Sequence, residues 1–222
     1  MEKRKTWMSW SSGKDSAWAL HQLRLGDDYE VTALFTTTNQ EFERVAMHGV
    51  RNEVLRKQAA AVGLPLIELP LPFPCTNEDY ERIMGEFVSR AQAERVECMA
   101  FGDLYLEDVR DYRIKNMEGS GIEPVFPIWG KNTSELADEM LAAGVKTILS
   151  VVNPEQVPAE LAGQYWNHEL IGKLPVGVDP CGENGEFHSC VVDGPMFDRP
   201  IPVAIGESVL RDGFMFADIE LV

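Results

Sequence analysis

Trp7-Met-Ser-Trp-Ser-Ser-Gly-Lys-Asp-Ser16 begins as a run of apolar residues and then breaks into two serines, a glycine, a lysine and an aspartate. The first part predicts a strand, and the residues from Asp15 to Leu25 predict a helix that ends at Gly26. A turn between a strand and a helix exposes free backbone N–H groups, and the helix dipole adds about half a positive charge there. The stretch therefore predicts an anion site.

The side chains of this turn suit a phosphate group. Gly13 allows close approach of the backbone, three serines add hydroxyl donors, and Lys14 adds a full charge. A purely structural interpretation stays open, in which Ser12 and Asp15 cap the helix and Gly13 makes the turn. The pattern G-x-x-x-x-G-K-[ST] is absent, because no Gly stands five positions before Gly13 and Asp follows Lys14. The turn is therefore not the phosphate loop of a motor or switch NTPase.

Segments typical of strands and helices alternate through the first part of the chain. This alternation predicts right-handed βαβ units and hence a parallel sheet covered on both faces. We therefore expect an α/β fold with a doubly wound parallel sheet over residues 1–130. The strands are expected at 6–10, 31–37, 65–69, 96–101 and 123–128, and the helices at 15–25, 52–62, 76–91 and 104–117.

The composition changes after about residue 130. One more capped helix and a strand are followed by turns and then by strand-like segments, which predict two hairpins. Residues 131–222 are thus expected to form a second, smaller α+β domain. Its elements are expected at 133–143, 146–152, 189–192, 201–205 and 214–221.

Charge and composition restrict the function. The 222 residues include 36 acidic and 20 basic ones, which gives a formal net charge of −16. Such a surface repels a nucleic-acid backbone, so nonspecific nucleic-acid binding is not expected. No apolar run reaches the roughly 18 residues of a membrane helix, and no secretory segment is recognisable, which predicts a cytoplasmic protein without a membrane partner.

The four cysteines show neither a CxxC pair nor the spacing of a disulfide framework, which is typical of a reducing compartment. Cys181, His188 and Cys190 would supply three zinc ligands. A fourth ligand is missing nearby, and buried unpaired cysteines are common, so the sequence favours cysteines without a metal.

In open α/β sheets, ligands bind beyond the carboxyl ends of the strands. That rule places three polar turns at one edge of the expected sheet, and we call this edge the rim. The turns are 11–16, 36–39 and 102–103. A carboxylate at Asp103 would lie over a nucleotide bound at the rim, or else it would cap the following helix.

The turn 11–16 resembles the PP-loop, S-G-G-x-D-S, of the N-type ATP pyrophosphatases, with Ser12 at the position of the first Gly. Three further stretches resemble the ordered signatures of the diphthine–ammonia ligase (diphthamide synthase) type of ATP-binding protein. They are Gly102-Asp-Leu-Tyr-Leu-Glu107, Glu123-Pro-Val-Phe-Pro-Ile-Trp-Gly130 and Gly177-Val-Asp-Pro-Cys-Gly-Glu-Asn-Gly-Glu-Phe-His188. Four blocks in this order, over nearly the whole chain, are far more specific than one loop.

The resemblance implies the Rossmann-like (HUP) fold of the adenine nucleotide α-hydrolases, followed by a smaller domain particular to this group. It also implies a ligase that uses ATP and Mg²⁺. A substrate carboxylate attacks the α-phosphorus, pyrophosphate leaves, and ammonia then displaces AMP to form an amide. The expected partners are therefore ATP, ammonium and a carboxylate acceptor.

The resemblance further implies which acceptor is used. In the named family it is diphthine, a modified histidine on translation elongation factor 2, in archaea and eukaryotes. In a bacterial protein the acceptor would be another carboxylate. The oligomeric state stays open, a homodimer included.

The resemblance assigns roles to the residues of the rim. The residues expected to contact ATP are Ser11, Ser12, Gly13, Lys14, Asp15, Ser16, Thr36, Thr37, His48, Gly102 and Asp103. Lys14 and Asp103 are also expected to act in catalysis, and Asp15 and Asp103 to hold Mg²⁺. Each has a structural alternative: the acids as helix caps, the threonines as strand residues, and His48 as a surface residue.

A glycine-rich segment of the second domain, residues 181–190, carries two acids and a histidine. Glu183, Glu186 and His188 are expected to bind ammonium or to take its proton before attack on the adenylate. The structural alternative is a tight turn with Phe187 in the core.

Two other functions share the phosphate loop. A PP-loop tRNA-modifying enzyme would bring a basic surface or a catalytic cysteine pair, and the net charge and cysteine spacing argue against both. A nucleotide-binding sensor without turnover would keep the rim but would need no acidic loop in the second domain.

Overall fold

The computed structural model describes residues 2–222, and its strands form two sheets. The strands of the first sheet are β1 Arg4–Ser9, β2 Tyr29–Asn39, β3 Arg44–Val45, β4 Leu66–Leu71, β5 Cys98–Ala100 and β6 Glu123–Val125. Those of the second sheet are β7 Lys146–Val152, β8 Phe187–Asp193, β9 Val203–Arg211 and β10 Phe214–Leu221. The helices are α1 Lys14–Leu25, α2 Asn52–Val62, α3 Asn77–Ala93, α4 Glu107–Met117, α5 Thr133–Ala142 and α6 His168–Ile171.

The first sheet is mostly parallel and confirms the expected α/β fold class. Strand β1 is central, with β2 and then β4 on one side and β5 and then β6 on the other, all parallel. Only the two-residue β3 runs antiparallel, against the end of β2. The strand order therefore reverses between β1 and β5, and this reversal opens a crevice at their carboxyl ends, where ligands bind in such folds.

Both faces of the first sheet are covered. Neighbouring residues of β1 point to opposite faces of the sheet, and each face packs in a different apolar cluster. Trp7 packs in an apolar cluster with Phe87 of α3. Met8 belongs to a larger cluster that contains residues of α1 and α2. That larger cluster also includes Phe187 and Cys190 of the second sheet, so the two sheets share one core.

The helix boundaries follow local sequence signals. Helix α3 begins with a capping box, in which the Thr76 hydroxyl accepts the N–H of Asp79 and the Asp79 carboxylate accepts the N–H of Thr76. Helix α2 ends at Gly63, whose φ of 74° lies in the left-handed region. Of the helices described in residues 2–222, none is long and apolar enough to cross a membrane.

The prediction of two hairpins in the second part is wrong. Strands β9 and β10 do form a hairpin, but β8 pairs antiparallel with β7 across a connection of residues 153–186, and β7 also pairs with β10. The apolar pattern of a strand marks its buried face but does not name its partner. The sheet order is β8-β7-β10-β9, an antiparallel sheet as expected for the second, α+β part.

All strands of the first sheet precede residue 130 and all strands of the second follow it. A division into domains 1–130 and 131–222 stays a proposal. The shared core argues that the two parts, which we call the first and second lobes, are stable only together.

Candidate active site

The turn 11–16 between β1 and α1, which we call the phosphate loop after its predicted role, is held in an unusual backbone conformation. Ser12 has a φ of 69°, a left-handed value that is uncommon outside glycine. Its carbonyl oxygen accepts two hydrogen bonds, from the N–H of Val191 at 2.9 Å and from the side-chain amide of Gln58 at 3.1 Å. Its buried hydroxyl finds no partner in residues 2–222. A loop with a spare hydroxyl is suited to an added anion.

The start of α1 carries no cap from its own N-cap residue, Gly13. Ser12 does not cap the helix either, because its hydroxyl is without a partner among the described residues. The Ser16 hydroxyl donates to the carbonyl oxygen of Gly13 at 3.0 Å, and the Ser11 hydroxyl donates to the hydroxyl oxygen of Ser16 at 3.1 Å. These bonds order the loop and leave backbone donors of the first helical turn for a ligand.

The turn after β5 lies directly against the start of α1. A methyl group on Gly102 would lie 2.8 Å from the backbone nitrogen of Ser16 and 2.9 Å from the carbonyl carbon of Asp15. Only a residue without a side chain permits this approach. Two of the three polar turns expected at the rim, 11–16 and 102–103, are therefore in contact.

Asp103 follows Gly102 and is partly buried. Its carboxylate lies 3.5 Å from the Nε of Arg113. Burial raises the pKa of Asp103, the negative charge of Asp15 adds to this effect, and Arg113 opposes it. The charge of Asp15 thus acts on Asp103 across the two turns.

Thr36 and Thr37 line a small cavity of about 90 Å³ at the carboxyl edge of the sheet. Ser9 and Arg113 line the same cavity. It adjoins a groove of about 540 Å³ between α3 and α4. The cavity and the groove share Tyr80, Met84, Asn116 and Met117.

Lys14 points into the second lobe. Its amine donates to the carboxylate of Asp15 and to the carbonyl oxygen of Cys181, and it lies 5.5 Å from the ring centres of Trp166 and Phe187. Burial has the largest single effect and would lower the pKa of Lys14, but the charge and hydrogen bond of Asp15, together with Cys181 and Glu183, outweigh it, so the pKa is raised. Lys14 is therefore a charged link between the lobes, and its action on pyrophosphate stays a prediction.

Glu183 reaches from the second lobe to the rim. Its Oε1 accepts the N–H of Leu104 at 2.8 Å, which brings the carboxylate beside Asp103. The pKa of Glu183 is raised to about 7, chiefly by burial and also by the charges of Asp15 and Asp103, while the Leu104 N–H and Lys14 oppose the rise. A carboxyl group that titrates near neutrality can exchange a proton at physiological pH.

Glu186 is buried within its own loop. It accepts the backbone N–H of Asp179 at 3.0 Å and that of Asn184 at 2.7 Å, and the Asn184 amide at 3.1 Å. Phe187 beside it lies in the core, as the structural alternative requires. These contacts are those of a residue that stabilises the loop 179–186, and a catalytic role for Glu186 stays a prediction.

His48 and His188 come together between the lobes. Their ring centres are 4.4 Å apart and the rings are tilted by 35°. Burial lowers the pKa of His188 to about 4, with a contribution from Lys14, and it lowers the pKa of His48 well below its usual value. Both imidazoles are therefore neutral at physiological pH. His48 packs against a partner rather than lying free on the surface.

The two cysteines of the second lobe, Cys181 and Cys190, are buried within the protein. The Cys181 thiol donates to the carbonyl of Thr133 at 3.4 Å, and burial raises the pKa of Cys190 to about 12. Over residues 2–222, no three His, Cys, Asp or Glu side chains form a group that could hold a metal by themselves. Asp15 and Asp103 fit a different kind of metal site, because Mg²⁺ commonly takes one or two carboxylates together with substrate phosphates.

Three residues that shape this site stand outside the sequence motifs. Gln58 is fully buried, accepts the indole N–H of Trp10 at 3.0 Å and bridges Ser12 to Val191. Its place on the apolar face of α2, one turn after Val54, was the available signal. Ser189 and Arg113 carry no such signal, since only the fold brings them to the rim.

Comparison with known proteins gives a consistent result over both lobes. Residues 4–123 match the diphthamide synthase N-terminal domain, and residues 132–220 match the diphthamide synthase C-terminal domain. The chain is 23% identical to the diphthine–ammonia ligase of Rattus norvegicus and 22% identical to that of Homo sapiens, in each case over 94% of this chain and 86% of the relative. It is 25% identical to the diphthine–ammonia ligase of Schizosaccharomyces pombe over 90% of this chain and 36% of that longer protein.

The N-terminal match alone spans more than half of the chain, and it contains the phosphate loop and the Gly102-Asp103 turn that the fold brings into contact. The C-terminal match contains Glu183, whose carboxylate accepts the N–H of Leu104 next to the Gly102-Asp103 turn. This chain therefore belongs to the diphthamide synthase family.

Proposed function

We propose that the protein is an ATP-dependent ligase that converts a carboxylate into an amide with ammonia and releases AMP and pyrophosphate. The observation that carries the proposal is the convergence of the phosphate loop, Asp103 and Glu183 at the point where the strand order reverses. Diphthine on elongation factor 2 is the proposed acceptor, because the matching relatives are diphthine–ammonia ligases.

In the first step, an oxygen of the acceptor carboxylate attacks the α-phosphorus of ATP, and the bond from that phosphorus to the bridging oxygen breaks. Pyrophosphate leaves with the electron pair. The spare hydroxyl of Ser12 and the free N–H groups of α1 stabilise the departing negative charge, while the hydroxyls of Ser11 and Ser16 order the loop. The adenosine lies towards Thr36 and Thr37, whose cavity is also lined by Ser9 at the end of β1.

Asp15 and Asp103 are the residues that would hold Mg²⁺, together with phosphate oxygens of ATP. The bound ion would offset phosphate charge. Arg113 keeps Asp103 in place by its contact with the carboxylate and by packing over the ring of Phe101 at 5.0 Å. The two aspartates would then face the nucleotide from different turns of the rim.

In the second step, the nitrogen of ammonia attacks the acyl carbon of the adenylate, and the bond from that carbon to the AMP oxygen breaks. Glu183 binds ammonium as a carboxylate and takes the proton whose loss yields ammonia. The second proton, which the nitrogen loses as the amide forms, passes to solvent. Its pKa of about 7 suits both tasks. His188 and His48, both neutral, offer acceptors for further N–H groups.

The test is to incubate the protein with ATP, Mg²⁺, isotope-labelled ammonium and diphthine-bearing elongation factor 2. We expect AMP and pyrophosphate in equal amounts, formed only with the acceptor, and one labelled nitrogen in the acceptor. Formation of ADP and phosphate would contradict attack at the α-phosphorus. Tight nucleotide binding without pyrophosphate would instead identify a sensor.

A further inference from the structure

Strand β8 of the second lobe lies directly on the phosphate loop. The N–H of Val191 donates to the carbonyl oxygen of Ser12. The side-chain amide of Gln58 donates both to that oxygen and to the carbonyl oxygen of Val191. A methyl group on Gly13 would lie 3.2 Å from the carbonyl oxygen of Ser189 and 3.5 Å from its hydroxyl oxygen. Ser189 is thus the residue of the second lobe that faces Gly13.

The hydroxyl of Ser189 accepts a hydrogen bond but donates none to the described residues. It accepts the backbone N–H of Lys14, the first residue of α1, at 3.2 Å. A hydroxyl has one hydrogen to donate in addition to its acceptor lone pairs. In residues 2–222, no acceptor takes that hydrogen, although the side chain is buried.

The place of this hydroxyl explains what it would bind. The N–H groups at the start of α1 attract an anion, and Ser189 occupies one of them. A hydroxyl that accepts from such a donor becomes a stronger donor itself, because hydrogen bonds in a chain polarise one another. Its free hydrogen therefore lies at a helix start where negative charge is expected, and the Ser12 hydroxyl of the turn 11–16 is likewise without a partner among the described residues.

We propose that Ser189 is a phosphate-binding residue supplied by the second lobe, which donates its hydroxyl hydrogen to an oxygen of the β- or γ-phosphate of ATP. This rests on the proposed function, because the anion is taken to be the pyrophosphate end of ATP. The phosphate cradle is then built from both lobes, with serines of the loop on one side and Ser189 on the other.

The experiment compares Ser189→Ala with the unaltered full chain by calorimetric titration of Mg²⁺–pyrophosphate, Mg²⁺–ATP and AMP. We expect the affinity for pyrophosphate and ATP to fall about tenfold, since a hydrogen bond to a charged group is lost. The affinity for AMP, which lacks the β- and γ-phosphates, should change less than about twofold. Ser189→Thr keeps the hydroxyl and should restore binding of pyrophosphate.

Ser150→Ala is the matched control, because Ser150 is also a buried serine of the second sheet, and its hydroxyl has no partner among the described residues. It should leave all three affinities unchanged. If Ser189→Ala does not fold, Ser189→Cys, whose thiol is a weak donor, must show the same selective loss.

Two results would overturn the proposal while leaving the ligase function intact. One is an unchanged affinity for pyrophosphate in Ser189→Ala, and the other is an equal loss for pyrophosphate and AMP, which a merely structural role would produce. Failure of the unaltered protein to bind ATP or pyrophosphate would overturn the proposal together with the proposed function.

Discussion

The carboxyl group of Glu183 titrates near pH 7 because it is buried beside two other acids, Asp15 and Asp103. If it takes a proton from ammonium, it must be ionised, so amide formation should rise with pH up to about 7 and then level off. Glu183→Gln should remove this rise and lower the rate of amide formation by about 100-fold. Formation of the adenylate should persist. A pH series of amide and pyrophosphate formation measures both effects.

Glu155→Gln is a suitable control for that experiment, because Glu155 is an exposed acid of the same lobe. It should leave the pH profile unchanged. Glu186→Gln is expected to act differently from Glu183→Gln, since it breaks the bonds that order the loop 179–186 and should lower stability as well as activity. An unaltered pH profile in Glu183→Gln would exclude Glu183 as the base.

His188 makes stability depend on pH. Its pKa falls from 6.5 to about 4 on folding, so the unfolded chain binds more protons between these values and the folded state loses stability as the pH falls through this range. Between pH 8 and pH 5, this loss amounts to about 1 to 2 kcal/mol. His188→Gln should therefore lose less stability than the unaltered protein over the same range.

Urea unfolding at both pH values measures this difference. His168→Gln serves as the control, because His168 is exposed, and it should follow the unaltered protein. Equal losses in His188→Gln and in the unaltered protein would contradict the assignment of a buried, neutral His188.

At the scale of elements, the contact between the β5 turn and α1 depends on the missing side chain of Gly102. Gly102→Ala would place a methyl group within 2.8 Å of the Ser16 nitrogen and push α1 away from the turn. We expect a loss of about 2 kcal/mol in unfolding free energy, as for other overpacked sites. The affinity for ATP should fall at least about tenfold, because the start of α1 would shift.

Gly85→Ala provides the comparison. Gly85 lies in α3, and a methyl group there would meet no atom within 4 Å. Alanine favours a helix more than glycine, so this variant should gain about 0.5 to 1 kcal/mol and keep its affinity for ATP. Chemical denaturation and calorimetric titration of both variants supply the data. Unchanged binding in Gly102→Ala would argue against a ligand at the start of α1.

At the scale of the whole molecule, the two lobes share one large apolar cluster. Arg24 donates to the carbonyl of Met196 at 3.2 Å, the ring of Trp10 packs 6.3 Å from that of Phe197, and Lys14 ends at Cys181. A fragment of residues 2–130 would expose these groups and lose the second lobe's share of the large apolar cluster.

We therefore expect the fragment 2–130 to lack a cooperative unfolding transition, whereas the full chain unfolds in one transition. Near-ultraviolet circular dichroism and tryptophan fluorescence during urea titration measure this. A sharp transition of the fragment that coincides for both probes would show that the first lobe is an independent domain.

The sequence by itself determined the α/β class, most helix boundaries and the location of the turn 11–16 between a strand and a helix. Those features depend on local signals, such as the apolar periodicity of α3, the glycine after α2 and the strand-to-helix turn 11–16. The contact between turns 11–16 and 102–103 followed from a general rule for parallel sheets, because both turns leave adjacent strands at the same edge.

Only the tertiary structure decided how the second lobe takes part. Strand β8 pairs with β7 rather than forming a hairpin, and this pairing carries Ser189 onto the loop and Glu183 to the turn of Asp103. In the same lobe, Lys14 donates to the carbonyl oxygen of Cys181, and Glu186 accepts hydrogen bonds from the backbone of the loop 179–186. The contacts of Lys14 with Ser189 and Cys181 join residues 175 and 167 positions apart, and that of Glu183 with Leu104 spans 79 positions. A local pattern holds no information about which distant strand will become its neighbour.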